Sequence, residues 1–368
     1  MTSRTNDTGV PRRPDDGGGV AIRAAGPGPR HPDRRTTWLI LLLARIGSQN
    51  ARPPTDVLNA RLAEAASTEF PLMRARLDGQ QWIPASPPVV SIEESGRDPV
   101  ACAPVGPLDL TSEPPLRVVG DPEGRWLLLC GHHFVFDGLG MAALLRYLLT
   151  GSASTAPDYT KRSSPRRPLT EPLRRFLAPA DRVAPSPVPP PRESFAPREV
   201  AISGKNITAR LASACIGAIS THNLSHRRPL KRAGLSLAVG GVDGESATYR
   251  RIDVRPGDDV AARVSDALAS PAVPPELNGL PPGSFLLRPV LSRFSDTVLI
   301  SNLGRLDLPL ESLEFYPVAR GRSAVAVGAA GLTGRPTTVT VRARDLDPHD
   351  ADSFLESVIA NLEPATSS

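Results

Sequence analysis

Two adjacent histidines stand between two apolar segments of different periodicity. Residues 126–130 read WLLLC, residues 131–138 read GHHFVFDG and residues 139–149 read LGMAALLRYLL. This order predicts a buried strand, a polar turn and an amphipathic helix. Polar side chains at the end of a buried strand need hydrogen-bond partners once water is removed. Imidazole, with an unperturbed pKa of about 6.5, also suits proton transfer near neutral pH. The pattern therefore indicates either a catalytic base, which we place at His133, or a hydrogen-bonded histidine of the core.

The length and composition allow two packed units. A chain of 368 residues, of which 40% are hydrophobic, can bury two cores. Residues 1–35 are rich in Gly, Pro, Arg and Asp and predict a disordered tail. Residues 151–199 are rich in Pro, Ser, Thr and Arg and predict an extended linker. The sequence therefore predicts an N-terminal lobe over residues 36–150 and a C-terminal lobe over residues 200–368.

Each predicted lobe mixes strands and helices. We expect Thr55 and Asp350 to cap the first and last helices. Period-two and period-3.6 patterns predict strands at 36–44, 71–78, 82–84, 116–119, 125–133, 200–202, 233–239, 248–254, 297–300, 323–329 and 337–343, and helices at 55–67, 139–149, 207–222, 258–268 and 350–362.

The charge distribution disfavours nucleic-acid binding. The net charge is +5, and the basic residues occur in small clusters without interleaved aromatic side chains. These clusters predict a solvated surface. The alternative is that they attract an anionic partner, such as the phosphates of coenzyme A or an acidic carrier protein.

No metal site, disulfide framework or membrane span is expected. Three widely spaced cysteines form neither a disulfide pattern nor a zinc spacing. His222 and His226 have a spacing that could bind zinc on a helix, but no third ligand is evident, which favours a solvated helix end. No segment approaches the roughly 18 apolar residues of a membrane span, and the N-terminus has no signal-peptide pattern. We therefore expect a cytoplasmic protein.

The run at residues 132–138 resembles the HHxxxDG motif of the CoA-dependent acyltransferase superfamily. That group includes chloramphenicol acetyltransferase and the condensation domains of non-ribosomal peptide synthetases. Residues 70–77 (FPLMRARL) are similar to a strand of condensation domains, and residues 107–117 (PLDLTSEPPLR) are similar to the segment that precedes their motif. Residues 300–306 (ISNLGRL) are similar to a segment of the polyketide-associated members. The resemblance spans residues 36–362, interrupted by the linker.

The resemblance implies both a fold and an activity. The fold would be α/β, with two chloramphenicol-acetyltransferase-like lobes, each a mixed sheet with helices, and an active site at the cleft between them. The activity would be transfer of an acyl group from a thioester of coenzyme A or of a carrier protein to an alcohol or amine, in secondary or lipid metabolism. The enzyme would be a stand-alone monomer without a bound cofactor, and the acyl thioester would be its co-substrate.

The resemblance also suggests roles for the residues of the motif. His133 would be the base and His132 would orient the loop. Asp137 would hold the loop through a paired charge, the alternative being that it polarises the imidazole directly. Gly138 would let the helix start close to the reacting centre, the alternative being an ordinary turn glycine.

Two polar residues after the strand predicted at 297–300 complete the candidate site. Ser301 and Asn302 could donate hydrogen bonds to the oxyanion of a tetrahedral intermediate or to the substrate. The alternative is that they form an ordinary polar strand end.

Two departures from the family pattern favour other readings. Residues 301–305 read SNLGR where condensation domains carry an aromatic DFGWG segment, which argues against ordinary peptide-bond formation. The strand segment over residues 233–241 ends in Gly240 and Gly241, where relatives often have an arginine. Without that arginine, the charge partner of Asp137 stays unassigned. The alternative function is a non-catalytic module that docks a carrier protein or another biosynthetic partner. The enzymatic interpretation requires that the His133 ring be neither sealed from every opening nor turned into bulk solvent.

Overall fold

The structure is a computed structural model that describes most of the two predicted lobes. The described residues are 37–47, 52–79, 81–94, 98–102, 106–152, 177–188, 190–202, 205–239, 248–269, 296–320 and 324–362. The predicted tail, much of the predicted linker, and Gly240 and Gly241 lie outside these residues.

Within the described residues, strands and helices alternate along both halves of the chain. The strands are β1 (Leu39–Arg45), β2 (Ala75–Asp78), β3 (Gln81–Pro84), β4 (Val90–Ile92), β5 (Leu116–Gly120), β6 (Trp126–His132), β7 (Ser194–Val200), β8 (Ala233–Val239), β9 (Thr248–Val254), β10 (Val298–Leu306), β11 (Ser312–Tyr316), β12 (Val325–Leu332) and β13 (Thr337–Ala343). The helices are α1 (Thr55–Ser67), α2 (Pro99–Cys102), α3 (Gly138–Thr150), α4 (Ile207–Ser225), α5 (Val260–Ala269) and α6 (Pro348–Leu362), and a 3₁₀ turn covers Pro71–Arg74.

The first sheet has five strands in the order β11-β1-β6-β5-β4 and is covered on both faces. Alternate residues of β1 enter two different cores. Ile40 and Leu42 pack in one core with side chains of α1 and α3, whereas Leu39 and Leu41 pack in a second core on the opposite face. Burial on both faces explains why β1 and β6 read as continuous apolar runs rather than alternating ones.

The second sheet has six strands in the order β7-β13-β12-β10-β8-β9. Helices α4, α5 and α6 cover one face and form the largest apolar core with it. A small cluster of Leu299, Ala319 and Ala326 lies on the other face, with Tyr249 packed against it. Two large mixed sheets, a two-stranded antiparallel sheet of β2 and β3, and the helices make the architecture α/β, as predicted. No helix among the described residues is long and apolar enough to cross a membrane.

Strand β11 joins the two sheets. It comes from the second half of the chain, but it pairs antiparallel with β1 and forms the edge of the first sheet. The carbonyl oxygen of Phe315 in β11 also accepts a hydrogen bond from the Thr340 hydroxyl of β13, in the second sheet. Gly328 of β12 lies directly against the same carbonyl oxygen. The lobe boundaries predicted from the sequence stay a prediction. Strand β11 belongs to the predicted C-terminal lobe by sequence, but it pairs in the sheet of the predicted N-terminal lobe.

A buried ion pair forms a second joint. The Arg342 side chain of β13 is completely buried, and its Nη2 lies 2.6 Å from Oε2 of Glu193. Its Nη1 donates to the carbonyl oxygen of Leu39 in β1, and its Nη2 donates to the hydroxyl of Thr37. Because Arg342 belongs to the second sheet and Leu39 to the first, this side chain ties one sheet to the other.

Several elements begin elsewhere than predicted. Strand β7 starts at residue 194, inside the predicted linker and ahead of the strand expected at 200–202. It contains Pro197, and this proline made the segment resemble the linker in composition. Strand β7 lies at the edge of the sheet and pairs only with β13, so the missing N–H of the proline is tolerated. The strand expected at 71–78 begins with the 3₁₀ turn, since Pro71 stands at its first position. Strands β4 and β11 and helix α2 were not predicted.

The two predicted helix caps are wrong. Helix α1 begins at Thr55, so Pro54 occupies the N-cap position and makes no side-chain capping bond. At α6, Oδ1 of Asp347 accepts the backbone N–H of Asp350, so Asp347 fills the role that we assigned to Asp350. The other strands and helices predicted from periodicity are present, with ends shifted by a few residues.

Replacing Gly328 with alanine should destabilise the joint between the sheets. The added Cβ would overlap the carbonyl oxygen of Phe315, which belongs to a paired strand and cannot move freely. We expect a loss of about 3 kcal/mol in the free energy of unfolding, measured by urea titration. Gly106→Ala is the matched control, because nothing lies within 4 Å of the position that its Cβ would take. Equal stability of the two variants would contradict this packing.

Removing Arg342 alone should cost more than removing the ion pair. Arg342→Met leaves Glu193 buried without its partner, and we expect a loss of about 3–5 kcal/mol in unfolding free energy. The double variant Arg342→Met/Glu193→Gln should recover part of that loss, because no uncompensated charge remains. Urea titration of the three proteins measures the difference. A double variant as unstable as the single one would show that the charge pairing is not what Arg342 contributes.

Candidate active site

The turn after β6 is held by its own backbone. The N–H of His133 donates to the carbonyl oxygen of Trp38 at 2.7 Å, which ties the turn to the start of β1. The N–H groups of Val135 and Phe136 both donate to the carbonyl oxygen of His132, at 2.9 and 3.0 Å. These bonds fix the direction in which both imidazole rings leave the sheet.

The hydrogen bonds of His133 determine which ring nitrogen is basic. Its Nδ1 lies 2.9 Å from the carbonyl oxygen of Phe136. A carbonyl oxygen can only accept, so Nδ1 carries the proton and Nε2 of the neutral ring keeps its lone pair. Nε2 is hydrogen-bonded to the hydroxyl of Tyr249, in β9 of the second sheet. The basic nitrogen therefore points from the first sheet to the second, and His133 as a residue is only 5% exposed.

His132 is buried in a different environment. Its Nδ1 accepts the backbone N–H of Phe134 at 3.1 Å, so the proton of the neutral ring is on Nε2. Burial, and to a lesser degree the neighbouring His133, lower the pKa of His132 to about 4. His132 therefore stays uncharged at neutral pH, which supports the structural role predicted for it.

Asp137 and Gly138 begin helix α3. Asp137 is buried at the N-cap position, and its Oδ1 accepts the backbone N–H of Gly140 at 2.8 Å. A Cβ on Gly138 would lie 2.7 Å from Leu303 and 2.9 Å from the Phe315 ring. These contacts support a structural role for Asp137, and they show that a glycine at position 138 lets α3 start against β10 and β11.

Ser301 lies on the face of β10 that is turned towards the histidine turn. Alternate residues of a strand point to opposite faces, so Ser301 shares its face with Leu299 and Leu303. Leu299 clusters with Tyr249, and Leu303 packs in the core that contains Phe136. Ser301 therefore lies on the same face of the second sheet as the cluster that contacts Tyr249.

Asn302 lies on the opposite face of β10. Its Nδ2 donates to the hydroxyl of Thr208 in α4 at 3.1 Å, and its Oδ1 accepts the N–H of Gly304 at 2.9 Å. The structure thus separates the two residues that the sequence analysis treated together. Asn302 stabilises the strand end and the helix behind the sheet. The period-two rule, applied to residues 298–302, would have shown the separation.

Tyr249 is the residue of this site that the sequence analysis missed. It lies in the strand predicted at 248–254, but nothing in the local pattern connects it with His133, which is 116 positions away. The Arg320 guanidinium stacks on the Tyr249 ring at 4.1 Å from its centroid. A phenol therefore lies next to the candidate base, and a cation lies over the ring of that phenol.

The remaining candidate ligands are engaged with the backbone. His222 Nε2 donates to the carbonyl oxygen of Ala184, and His226 Nδ1 donates to that of His222, each at 2.9 Å. Among the described residues, no group of three His, Cys, Asp or Glu side chains could hold a metal ion. Cys130 and Cys215 are buried and unbonded, and burial raises the pKa of the Cys130 thiol to about 12.

Solved structures of condensation domains share this fold. The first condensation domain of the calcium-dependent antibiotic synthetase, in complex with a substrate analogue, is 14% identical, with a TM-score of 0.59 over 90% of this chain and 91% of that chain. A variant of the starter condensation domain of rhizomide synthetase RzmA, in complex with C8-CoA, is 14% identical, with a TM-score of 0.57 over 89% of each chain. A further RzmA variant, in complex with C8-CoA and Leu-SNAC, is 13% identical, with a TM-score of 0.55 over 90% of this chain and 89% of that chain.

The likeness confirms the predicted fold class. At these identities it establishes the two-lobed fold of condensation domains and no residue roles. No family model matches the sequence, and no curated protein matches it at a significant level.

Acid should destabilise the protein through His132. The unfolded chain binds a proton at this histidine below about pH 6.5, whereas the folded chain does so only below about pH 4. The unfolded state therefore binds more protons in this window, and stability falls as the pH is lowered from 6.5 to 4, by about 3 kcal/mol from this group. Urea titrations across the window should show a flatter dependence for His132→Asn. A similar slope for the wild type and His132→Asn would exclude His132 as the source.

Proposed function

We propose that this chain is an acyltransferase that moves an acyl group from a thioester to a hydroxyl or amino group of a small molecule. The observation that carries the proposal is the hydrogen bond from His133 Nδ1 to the carbonyl oxygen of Phe136, which leaves Nε2 basic. The proposed enzyme acts as a cytoplasmic monomer in secondary or lipid metabolism. It receives acyl groups that other proteins have activated.

In the proposed reaction, Nε2 of His133 removes the proton of the acceptor. The acceptor oxygen or nitrogen attacks the carbonyl carbon of the thioester, and the carbonyl electron pair moves to the oxygen. The tetrahedral intermediate then expels the thiolate as the carbon–sulfur bond breaks. The imidazolium returns its proton to the thiolate, so the enzyme ends in its starting state and no metal is required.

Ser301 is the proposed donor to the oxyanion. Its place on the face of β10 that is turned towards the histidine turn supports this role. A hydroxyl held by a paired strand would stabilise the negative oxygen without reorganisation during the reaction.

The proposed donor is an acyl thioester of coenzyme A or of phosphopantetheine on a carrier protein. Both present the same thioester on the same pantetheine arm. Since the RzmA starter condensation domain was solved with C8-CoA, octanoyl-CoA is the first donor to test.

A non-catalytic docking module is the second candidate. The observation that favours it is the shielding of His133, which as a residue is 5% exposed and whose Nε2 is hydrogen-bonded to Tyr249. A docking module would bind an acylated carrier protein without releasing thiol.

Replacing His133 should lower turnover strongly and leave the fold intact. We expect His133→Ala and His133→Gln to lower kcat by about 10²–10⁴-fold, which is the usual contribution of a general base. Thiol release from octanoyl-CoA, followed with a panel of alcohols and amines and by intact mass of the products, measures this loss.

The control is His226→Ala, at the end of α4 on the helix-covered face of the second sheet. It should turn over like the wild type. Thermal unfolding shows whether each variant is folded. Full activity in folded His133→Ala would refute the assignment of the base, and carrier binding without any thiol release would favour the docking module.

A further inference from the structure

The Tyr249 hydroxyl lies next to the basic nitrogen of the candidate base. The His133 side chain is almost fully buried, and its basic Nε2 is hydrogen-bonded to the Tyr249 hydroxyl. Tyr249 itself is partly exposed. An acceptor that approaches Nε2 along the direction of its lone pair therefore meets the phenol oxygen first.

The Tyr249 ring is held in place from several sides. Its backbone pairs with Ala238 of β8. The Arg320 guanidinium covers the ring at 4.1 Å from the centroid, a distance typical of a cation–π contact. The ring also packs against an apolar cluster formed by Leu299, Ala319 and Ala326. With these contacts, the phenol can keep its position during turnover and does not need to change rotamer to admit the acceptor.

We propose that Tyr249 is a catalytic residue that relays the proton of the acceptor to His133. The proposal rests on the proposed acyltransferase function and extends it, because it gives a buried base a route to its substrate. It also assigns a chemical role to a residue that no sequence pattern marked.

The relay moves two protons in one step. As the acceptor oxygen forms its bond to the thioester carbonyl carbon, its proton passes to the phenol oxygen of Tyr249. The phenol proton passes at the same time to Nε2 of His133, so the tyrosine stays neutral. When the carbon–sulfur bond breaks, the two transfers run in reverse and the thiolate receives the proton.

The acidities of the three groups require that the two transfers be concerted with bond formation. A phenol is a stronger acid than an alcohol, and an imidazolium is a stronger acid than a phenol, since the unperturbed side chains of tyrosine and histidine have pKa values of about 10 and about 6.5. Each forward transfer is therefore unfavourable on its own, because the proton leaves a weaker acid for a weaker base. Both transfers must be coupled to formation of the carbon–oxygen bond, since the acceptor oxygen becomes a strong acid as it bonds to the carbonyl carbon. The fixed positions of Tyr249 and His133 avoid the cost of assembling the chain at the moment of reaction.

Tyr249→Phe tests the relay because it removes the hydroxyl and keeps the ring on which Arg320 stacks. With octanoyl-CoA and whichever acceptor turns over, including water, we expect kcat to fall by about 10²-fold while the acceptor KM changes little. The matched control is Tyr147→Phe, which removes a hydroxyl from α3 and should leave kcat unchanged.

A proton inventory separates a relay from a structural hydrogen bond. In mixtures of H₂O and D₂O, a step that moves two protons gives a curved dependence of kcat on deuterium fraction. The wild type should show this curvature, and the residual activity of Tyr249→Phe should show a straight line. The same curvature in both proteins would overturn the relay even if kcat fell.

Two further outcomes distinguish failure of the relay from failure of the proposed function. If Tyr249→Phe keeps or raises kcat and lowers the acceptor KM, the tyrosine is a cap that competes with the acceptor, so the relay fails and the proposed function survives. If the wild type releases no thiol with any acceptor or water, both proposals fail together.

Discussion

The hydrogen bond from the Nδ1–H of His133 to the carbonyl oxygen of Phe136 is the interaction on which the rest of the site depends. It exists because the turn after β6 folds back within three residues, which brings the Phe136 carbonyl under the ring. It determines the tautomer, and the tautomer determines the direction of the lone pair. The buried Asp137 cap and the close approach of α3 at Gly138 support the same turn from the helix side. A local backbone geometry thus sets the chemistry of a group that meets its next partner in another sheet.

That partner is positioned by the two joints between the sheets. His133 follows a strand of the first sheet and Tyr249 lies in the second, so their contact is only as precise as the placement of one sheet on the other. Strand β11 and the buried Arg342–Glu193 pair supply this placement without taking part in the site itself. Their cost is a set of desolvated polar groups that must stay paired, because an unpaired buried charge is strongly destabilising. The precision of the contact between His133 and Tyr249 therefore originates some distance away from it.

The sequence was informative where structure is local. The strand, turn and helix around His132 and His133 follow from period changes over about 25 residues, and the structure confirms them. The unpredicted features depend on distant partners. Residues 312–316 read SLEFY, a short run whose strand character depends on β1, and Arg45 and Glu314, which bridge these two strands, are 269 positions apart. The pairing of His133 with Tyr249 has the same origin. The wrong prediction for β7 has a different cause. Pro197 argued against a strand, but an edge strand tolerates a proline, and only the sheet order shows that β7 lies at an edge.

The position of β11 has a consequence for how the chain reaches its native state. During synthesis on the ribosome, the N-terminal half emerges first and can assemble β1, β6, β5 and β4, but one edge of β1 stays open until residues 312–316 have been made. That edge belongs to a long apolar strand, the kind that pairs with other chains when it is left uncovered. The nascent chain thus exposes an unpaired, aggregation-prone edge of β1 during most of its translation. This exposure ends when β11 has been synthesised and pairs with β1.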